Sequence, residues 1–169
     1  HRDLHSFPTR RSSDLPVLFF EHKYLYRRVK ASLAPASIDI GAGVEAGARI
    51  VRPGDGVSVF TWGWMVHRAV AAAEALGEEG ISVEVVDLRV LAPLDERTVM
   101  ESVGRTGRAL VVHEAQLTGG FGGEIAARIA EGAFEALDAP VRRLAYPDHP
   151  VPFKDRKSTR LNSSHVLIS

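Results

Sequence analysis

The sequence predicts an α/β fold: a mostly parallel sheet of about five strands, with helices on both faces and one strand antiparallel. Three observations lead there. From residue 48 to residue 144, short apolar runs alternate with segments of helical period, the order that right-handed strand–helix–strand units produce. The runs VEVVD and ALVVH are nearly continuous in Val and Leu, as parallel strands covered on both faces must be. Each helical segment carries a single apolar stripe, enough to cover one side of a sheet and no more.

Element by element, residues 16–21 (PVLFFE) read as a short buried strand, and residues 22–28 (HKYLYRR) as a mixed, partly exposed run. Residues 29–47 are rich in Ala, Gly, Pro and Ser, which marks a linker and a domain boundary. Residues 49–52 and 57–62 form two strands around Pro53-Gly54-Asp55-Gly56, whose Pro and Gly supply the backbone angles a tight turn needs. Val66, Ala69, Val70, Ala73 and Leu76 share one helical face, with Gly80 as a stop. Residues 83–87 are the next strand. Asp95 is a suitable N-cap and Glu96 suits the positive helix start; Val99 and Val103 continue that helix to Gly104 or Gly107. Residues 109–113 form a third parallel strand. Ile125, Ala126, Ile129, Ala133, Phe134 and Leu137 form the stripe of one long helix, and residues 141–144 a final, weaker strand.

At 169 residues the chain holds one ordinary domain, or one plus a fragment. Apolar residues make up 45% and charged residues 25%, a globular balance rather than a disordered one. The absence of Cys removes disulfides, thiolate metal sites and Cys nucleophiles. No apolar run approaches the ~18 residues of a membrane span. The net charge of zero conceals a split: residues 16–153 hold 14 Lys and Arg against 18 Asp and Glu, and the two ends hold 7 against 3. The middle has no cation excess for phosphates, which argues against a nucleic-acid partner.

The basic ends carry no helical or strand period. Residues 11–15 (RSSDL) can be encoded by DNA containing GCTCTTCCGATC, and residues 155–158 (DRKS) by GATCGGAAGAGC. These strings are reverse complements and resemble ligated adapters of short-read sequencing libraries. Residues 1–15 and 154–169 are therefore set aside as translated adapter, and the native termini are expected to lie outside the chain.

Several constellations invite chemical readings. Gly54-Asp55-Gly56 resembles half of a magnesium–diphosphate motif, which needs a carboxylate and an amide oxygen on one hard cation; the only Asn is Asn162, in the set-aside tail, so a turn is the better reading. Residues 118–124 (TGGFGGE) follow a strand and open a helix, where bare amides can meet an anion. The run lacks both P-loop and dinucleotide spacing, and a glycine turn allowing close approach of helix and strand explains it more simply. His113 and Glu114 end one strand, and Asp87 and Arg89 end the strand before it in sequence; strand ends are where open α/β sheets place ligands. No nucleophile accompanies them, so an interface or ion-pair cluster is the stronger reading. Trp62 and Trp64, at a strand end and helix start, suit core packing, or a partner surface if exposed. His22, His67 and His149 show no metal-ligand spacing.

The runs VEVVDLRVLAPLDERT and HEAQLTGGFG, with PVLFFEHKYLYRR before them and PDHPVPF after, resemble the beta subunit of the 2-oxo acid dehydrogenase first component, over nearly all of residues 16–153. Residues 34–47 depart from that family in being longer and richer in Ala and Gly. The resemblance implies a transketolase-type C-terminal domain over residues 48–153, joined by the linker 29–47 to the end of a thiamine-pyrimidine domain at 16–28. It implies thiamine diphosphate and magnesium in the intact complex, with the diphosphate and magnesium motif on the alpha subunit and the activating glutamate in the absent upstream region. The chain itself is then expected to bind neither group and not to catalyse alone. Implied partners are the alpha subunit, a second beta subunit and a lipoyl acyltransferase core, in a bacterial cytoplasm. The resemblance assigns no catalytic, cofactor or metal residue here; Asp87, Arg89, His113, Glu114, Gly119, Gly120, Phe121 and Gly122 are candidate interface residues. The run HKYLYRR is more similar to branched-chain-type members than to pyruvate-type ones. A docking module without active-site duty, and a piece of a single-chain transketolase or deoxyxylulose-phosphate synthase, are the competing readings.

Overall fold

The computed structural model describes His22, Leu25, Lys30 and residues 47–149; the strand expected at 16–21, most of the linker and both terminal segments lie outside these residues. The elements in order are β1 (Arg49–Arg52), β2 (Val57–Thr61), α1 (Trp64–Glu78), β3 (Val83–Asp87), α2 (Glu96–Thr106), β4 (Ala109–Gln116), α3 (Gly122–Gly132), a 3-10 turn (Phe134–Ala136) and β5 (Arg142–Tyr146). They form one five-stranded sheet in the order β1-β3-β2-β4-β5. Strands β3, β2, β4 and β5 are parallel, and β1 runs antiparallel on β3, as the sequence predicts.

Alternation along each strand sends side chains to two layers. Val59, Val83, Val85 and Val112 pack with Met65, Ala69, Val70, Ala73 and Leu76 of α1. Phe60, Val86 and Val111 pack on the other face with Val99 and Val103 of α2 and Ile125 and Ile129 of α3. The apolar stripes counted in the sequence are the buried faces of these helices, and α1 alone covers one side.

A polar network lies inside the α2 layer. Glu84 on β3 is only 2% exposed. Its Oε1 accepts from Ser58 Oγ at 2.8 Å, and its Oε2 accepts from Arg105. Arg105 also donates to Ser102 Oγ at 3.1 Å, and the Ser58 and Thr106 hydroxyls lie 2.8 Å apart. Ser58, Glu84, Ser102 and Thr106 are all buried. Each finds a partner within the network, which is the condition for burying such groups at all.

Turns and caps follow the sequence closely. Asp95 accepts from the Thr98 amide at 3.1 Å, the Thr98 hydroxyl at 2.7 Å and the Ala48 amide at 2.9 Å, and α2 ends at Gly107 in the left-handed region (φ 66°). Burial pulls the Asp95 carboxyl upward, but the bonds from Thr98 and Ala48 outweigh it and lower its pKa below 3.8. Asp95→Ala is expected to cost about 1–2 kcal/mol in urea unfolding at neutral pH. The sign of the linkage makes this contribution complete above the unfolded pKa and lost as pH falls through the lower folded one. The gap between wild type and variant therefore closes in acid.

Three departures have local causes. Pro53-Gly54-Asp55-Gly56 does not close a hairpin, because β1 and β2 flank β3 rather than each other. The turn instead passes the start of β3, with Gly56 donating to the Ser82 carbonyl at 3.0 Å, and a Cβ on Gly54 would lie 2.3 Å from the Val83 carbonyl carbon. The long helix expected through Leu137 stops at Gly132. A Cβ there would sit 2.8 Å from Met100 Cε, so the helix end lies close against α2, and Ala133 (φ −130°) leaves helical geometry. Phe134 is consequently 76% exposed instead of joining the core. Strand β4 continues three residues past His113 because, beyond an irregularity, Gln116 pairs with Tyr146 of β5.

Candidate functional site

Strands β2 and β4 are neighbours, yet the helices that follow them go to opposite faces: α1 after β2, α3 after β4. Their C-terminal ends therefore flank the place where an open parallel sheet offers a crevice. Side chains fill it here. Trp62, just past β2, stacks on His113 of β4 with ring centroids 5.4 Å apart and planes 10° apart. Phe121 meets the indole edge-on at 6.4 Å and 86°. The glycine run closes over the imidazole: a Cβ on Gly120 would lie 2.5 Å from His113 Cε1, and one on Gly122 2.3 Å from Cδ2 and Nε2. Here Gly is needed for close approach to a ring.

His113 is 3% exposed. Neither ring nitrogen meets a partner in full hydrogen-bonding geometry, the Ala115 backbone being the nearest approach to one. Burial first, and the Arg143 charge second, push its pKa below 6.5; the Ala115 backbone favours the protonated ring but is outweighed. Among the described residues, the buried side-chain polar atoms without a partner are these two nitrogens, Thr61 Oγ1 and Tyr146 Oη. All lie at the C-terminal edge of the sheet, on β2, β4 and β5. Nothing in the sequence alone marks Arg143, whereas the strand-end rule that points to His113 applies equally to Thr61 and Tyr146.

The expected cluster of Asp87, Arg89, His113 and Glu114 is divided. Strand β2 separates β3 from β4, with Thr61 in register between Asp87 and Val112, so the two pairs stand two strand spacings, about 10 Å, apart. Asp87 is half-buried; burial raises its carboxyl pKa against the Arg89 amide and the charges of Arg89, Arg49 and His67. Arg89 takes a left-handed backbone (φ 57°) and donates its amide to Asp87 Oδ1 at 3.1 Å. Glu114 is exposed and pairs with His22 at 3.3 Å. His22 in turn stacks near Trp64 at 6.3 Å, and Trp64 lies 5.7 Å from His67. Both Trp62 and Trp64 are partly buried. Arg89, Glu114 and Gly119 are exposed, Gly120 and Phe121 half-buried, and Gly122 buried with His113.

Beside this edge lies an open groove of about 610 Å³ floored by Leu91, Pro93, Leu94 and Phe121; the Ala92–Pro93 peptide in its wall is cis. At its rim Arg128 is bound by Glu96 and, at 2.7 Å, by Glu124. Both glutamates lie in first helical turns, where they already answer the positive helix starts. An anion would compete with them, and Arg128 already occupies them against a cation. Among the described residues no group of three His, Asp or Glu is placed to hold a metal. Gly54-Asp55-Gly56 lies at the opposite, N-terminal edge, where Asp55 is exposed and its amide is bonded to Ser82 Oγ at 3.1 Å. With no amide side chain nearby in sequence, these residues do not fit a magnesium–diphosphate cradle.

The family described as "Transketolase, C-terminal domain" matches residues 46–166. The pyruvate dehydrogenase E1 component subunit beta of Bacillus subtilis (strain 168) is 42% identical over 153 residues, which cover 90% of this chain and 46% of that protein. The acetoin:2,6-dichlorophenolindophenol oxidoreductase subunit beta of Cupriavidus necator is 46% identical over 138 residues, covering 82% of this chain and 40% of that one. Among solved structures, a split-gene transketolase, described as an inactive beta4 tetramer, superposes with a TM-score of 0.55 at 30% identity, over 60% of this chain and 32% of that chain. The chain spans about half the length of the curated relatives it matches.

Proposed function

We propose, because the chain belongs to the transketolase C-terminal domain family, that it is the C-terminal part of the beta subunit of a thiamine-diphosphate-dependent 2-oxo acid dehydrogenase first component. In that role it supplies subunit-interface and docking surface and does not catalyse alone. The observation that carries the reading is the filled crevice. The position where this sheet type receives ligands holds Trp62, His113 and Phe121 packed under a glycine turn, and no other described residues form a cofactor cradle. When bound in the parent complex, thiamine diphosphate supplies the decarboxylation chemistry; no residue among 47–149 is assigned a step in it.

The exposed groups at the same edge, Arg89, Glu114 and Gly119, with the half-buried Asp87, Gly120 and Phe121 beside them, are the proposed contact surface. His113 and Gly122 lie behind and hold its shape. The partners proposed are the alpha subunit, a second beta subunit and a lipoyl acyltransferase core, in a bacterial cytoplasm; no helix among the described residues is long and apolar enough to cross a membrane. The substrate is a 2-oxo acid. The relatives reported above carry pyruvate and acetoin in their names, and the branched-chain alternative draws on the run at residues 22–28. Division of the chain at 16–28, 29–47 and 48–153, with adapter-derived ends, belongs to the same proposal, and genomic DNA read across both ends tests it.

The direct test restores the upstream half of the subunit and adds the alpha subunit. The expected result is thiamine-dependent decarboxylation of pyruvate or a branched-chain 2-oxo acid, with the acyl group passing to a lipoyl domain. A folded heterotetramer that turns over none of these acids rejects the reading. A long fused gene upstream would instead support the single-chain transketolase alternative.

A further inference from the structure

We infer that His113 is an acid-sensitive latch: as a neutral ring it lets the turn at residues 117–122 close over the end of the sheet, and its protonation opens that turn. The geometry carries the inference. The ring is 3% exposed, stacked on Trp62 at 5.4 Å, and enclosed by Gly120 and Gly122 so closely that neither position has room for a Cβ. Neither nitrogen has a partner in full hydrogen-bonding geometry, and the one group that favours a proton there, the Ala115 backbone, is outweighed by burial and by Arg143, so a proton taken up would leave a buried and poorly supported cation. Proteins avoid that state by moving the group to water. The turn above is the part able to yield, since Leu117, Thr118 and Gly119 are exposed.

What holds the turn down does not titrate in the same range. Thr118 is fastened to Asp148 through its amide at 2.8 Å and its hydroxyl at 2.6 Å, and those bonds keep the Asp148 carboxyl below its usual range. The Leu117 amide donates to the Tyr146 carbonyl at 2.8 Å, and Arg143 donates to the Leu117 carbonyl at 3.0 Å. The charged and titratable groups on the surrounding elements are Glu114 on the same strand, Glu124 at the start of α3, and Arg143, Tyr146 and Asp148 on or after β5. Arg143 opposes protonation of His113, and Glu114 faces His22 at the surface. His22, His67 and His149 are the other histidines among the described residues, and they serve as controls.

The sign follows from linkage. With the closed-state pKa below the open-state value near 6.5, the closed turn is fully favoured above pH 6.5 and loses ground as pH falls below it. One pH unit under 6.5, the open fraction rises by at most about tenfold, the limit set by a ring that takes up no proton while closed. Amide hydrogen exchange on the whole chain at pH 7.5 and 5.5, corrected for intrinsic rates, reads this directly. Protection of residues 117–124 is expected to fall at pH 5.5, by at most about tenfold, and the fall to persist in His22→Gln, His67→Gln and His149→Gln but to vanish in His113→Gln. A change of less than about twofold in the wild type, or an undiminished fall in His113→Gln, overturns the inference. If His113→Gln does not fold, NMR titration of the wild-type ring decides: a midpoint clearly under 6.5, with Gly120 and Gly122 amide shifts following it, supports the latch, and a midpoint at or above 6.5 overturns it.

Discussion

Arg105→Met should destabilise the domain by about 2 kcal/mol and lower its melting temperature by roughly 10 °C. Glu84 is 2% exposed and has Arg105 as its counter-charge. Removing the guanidinium strands a carboxylate whose other support is a single serine hydroxyl. Breaking a fully buried pair in this way costs about 3–5 kcal/mol; the smaller figure here reflects the 46% exposure of the Arg105 side chain, because water already screens one partner. Denaturant unfolding of the single variant and of Arg105→Met combined with Glu84→Met separates the two contributions. The double variant is expected to recover part of the loss, since it no longer buries an unpaired charge. A double variant weaker than the single one by a further 2 kcal/mol or so would assign the network's value to its hydroxyls instead.

Gly122→Ala is expected to cost about 2–3 kcal/mol, although the position begins a helix, where Ala is normally preferred. The new methyl would sit 2.3 Å from two His113 ring atoms, and the ring cannot withdraw because Trp62 is stacked on it. Gly104→Ala is the internal control. It also lies in a helix, but nothing stands within 4 Å of its added Cβ, so it should be neutral or stabilise by about 0.5–1 kcal/mol. Opposite signs from the same chemical change would locate the cost in the close approach to His113. Equal effects would mean that the glycine turn has slack. The Trp62 fluorescence of Gly122→Ala should change as well, since the stacked pair is displaced.

Much of this architecture was readable in advance because local and tertiary preferences agree. Residues 83–87 are legible to the residue, since Val83, Val85 and Val86 in so short a run suit a strand covered on both sides. Asp95 reads as a cap from its position before an apolar period, and the bond it accepts from the Thr98 amide is that of a cap. The reading failed where a distant partner settled the matter. Nothing in Glu114, Ala115 and Gln116 announces a strand; Tyr146, thirty residues away, supplies the pairing. The stripe through Phe134 and Leu137 counts as helix on periodicity, but the helix stops at Gly132, packed close to Met100 of α2, and Ala133 leaves helical geometry.

The candidate site shows the same division. Sequence alone determined that Asp87 ends a strand, that His113 and Glu114 lie in the C-terminal half of another, and that a glycine turn precedes the last helix, because period and composition are local properties. Only the tertiary structure decided that β2 runs between the two pairs, that Trp62 stacks on His113, and that this ring is buried under Gly120 and Gly122. Strand order and burial depend on which crossover packs on which face, and that choice is made by contacts among residues far apart in the chain.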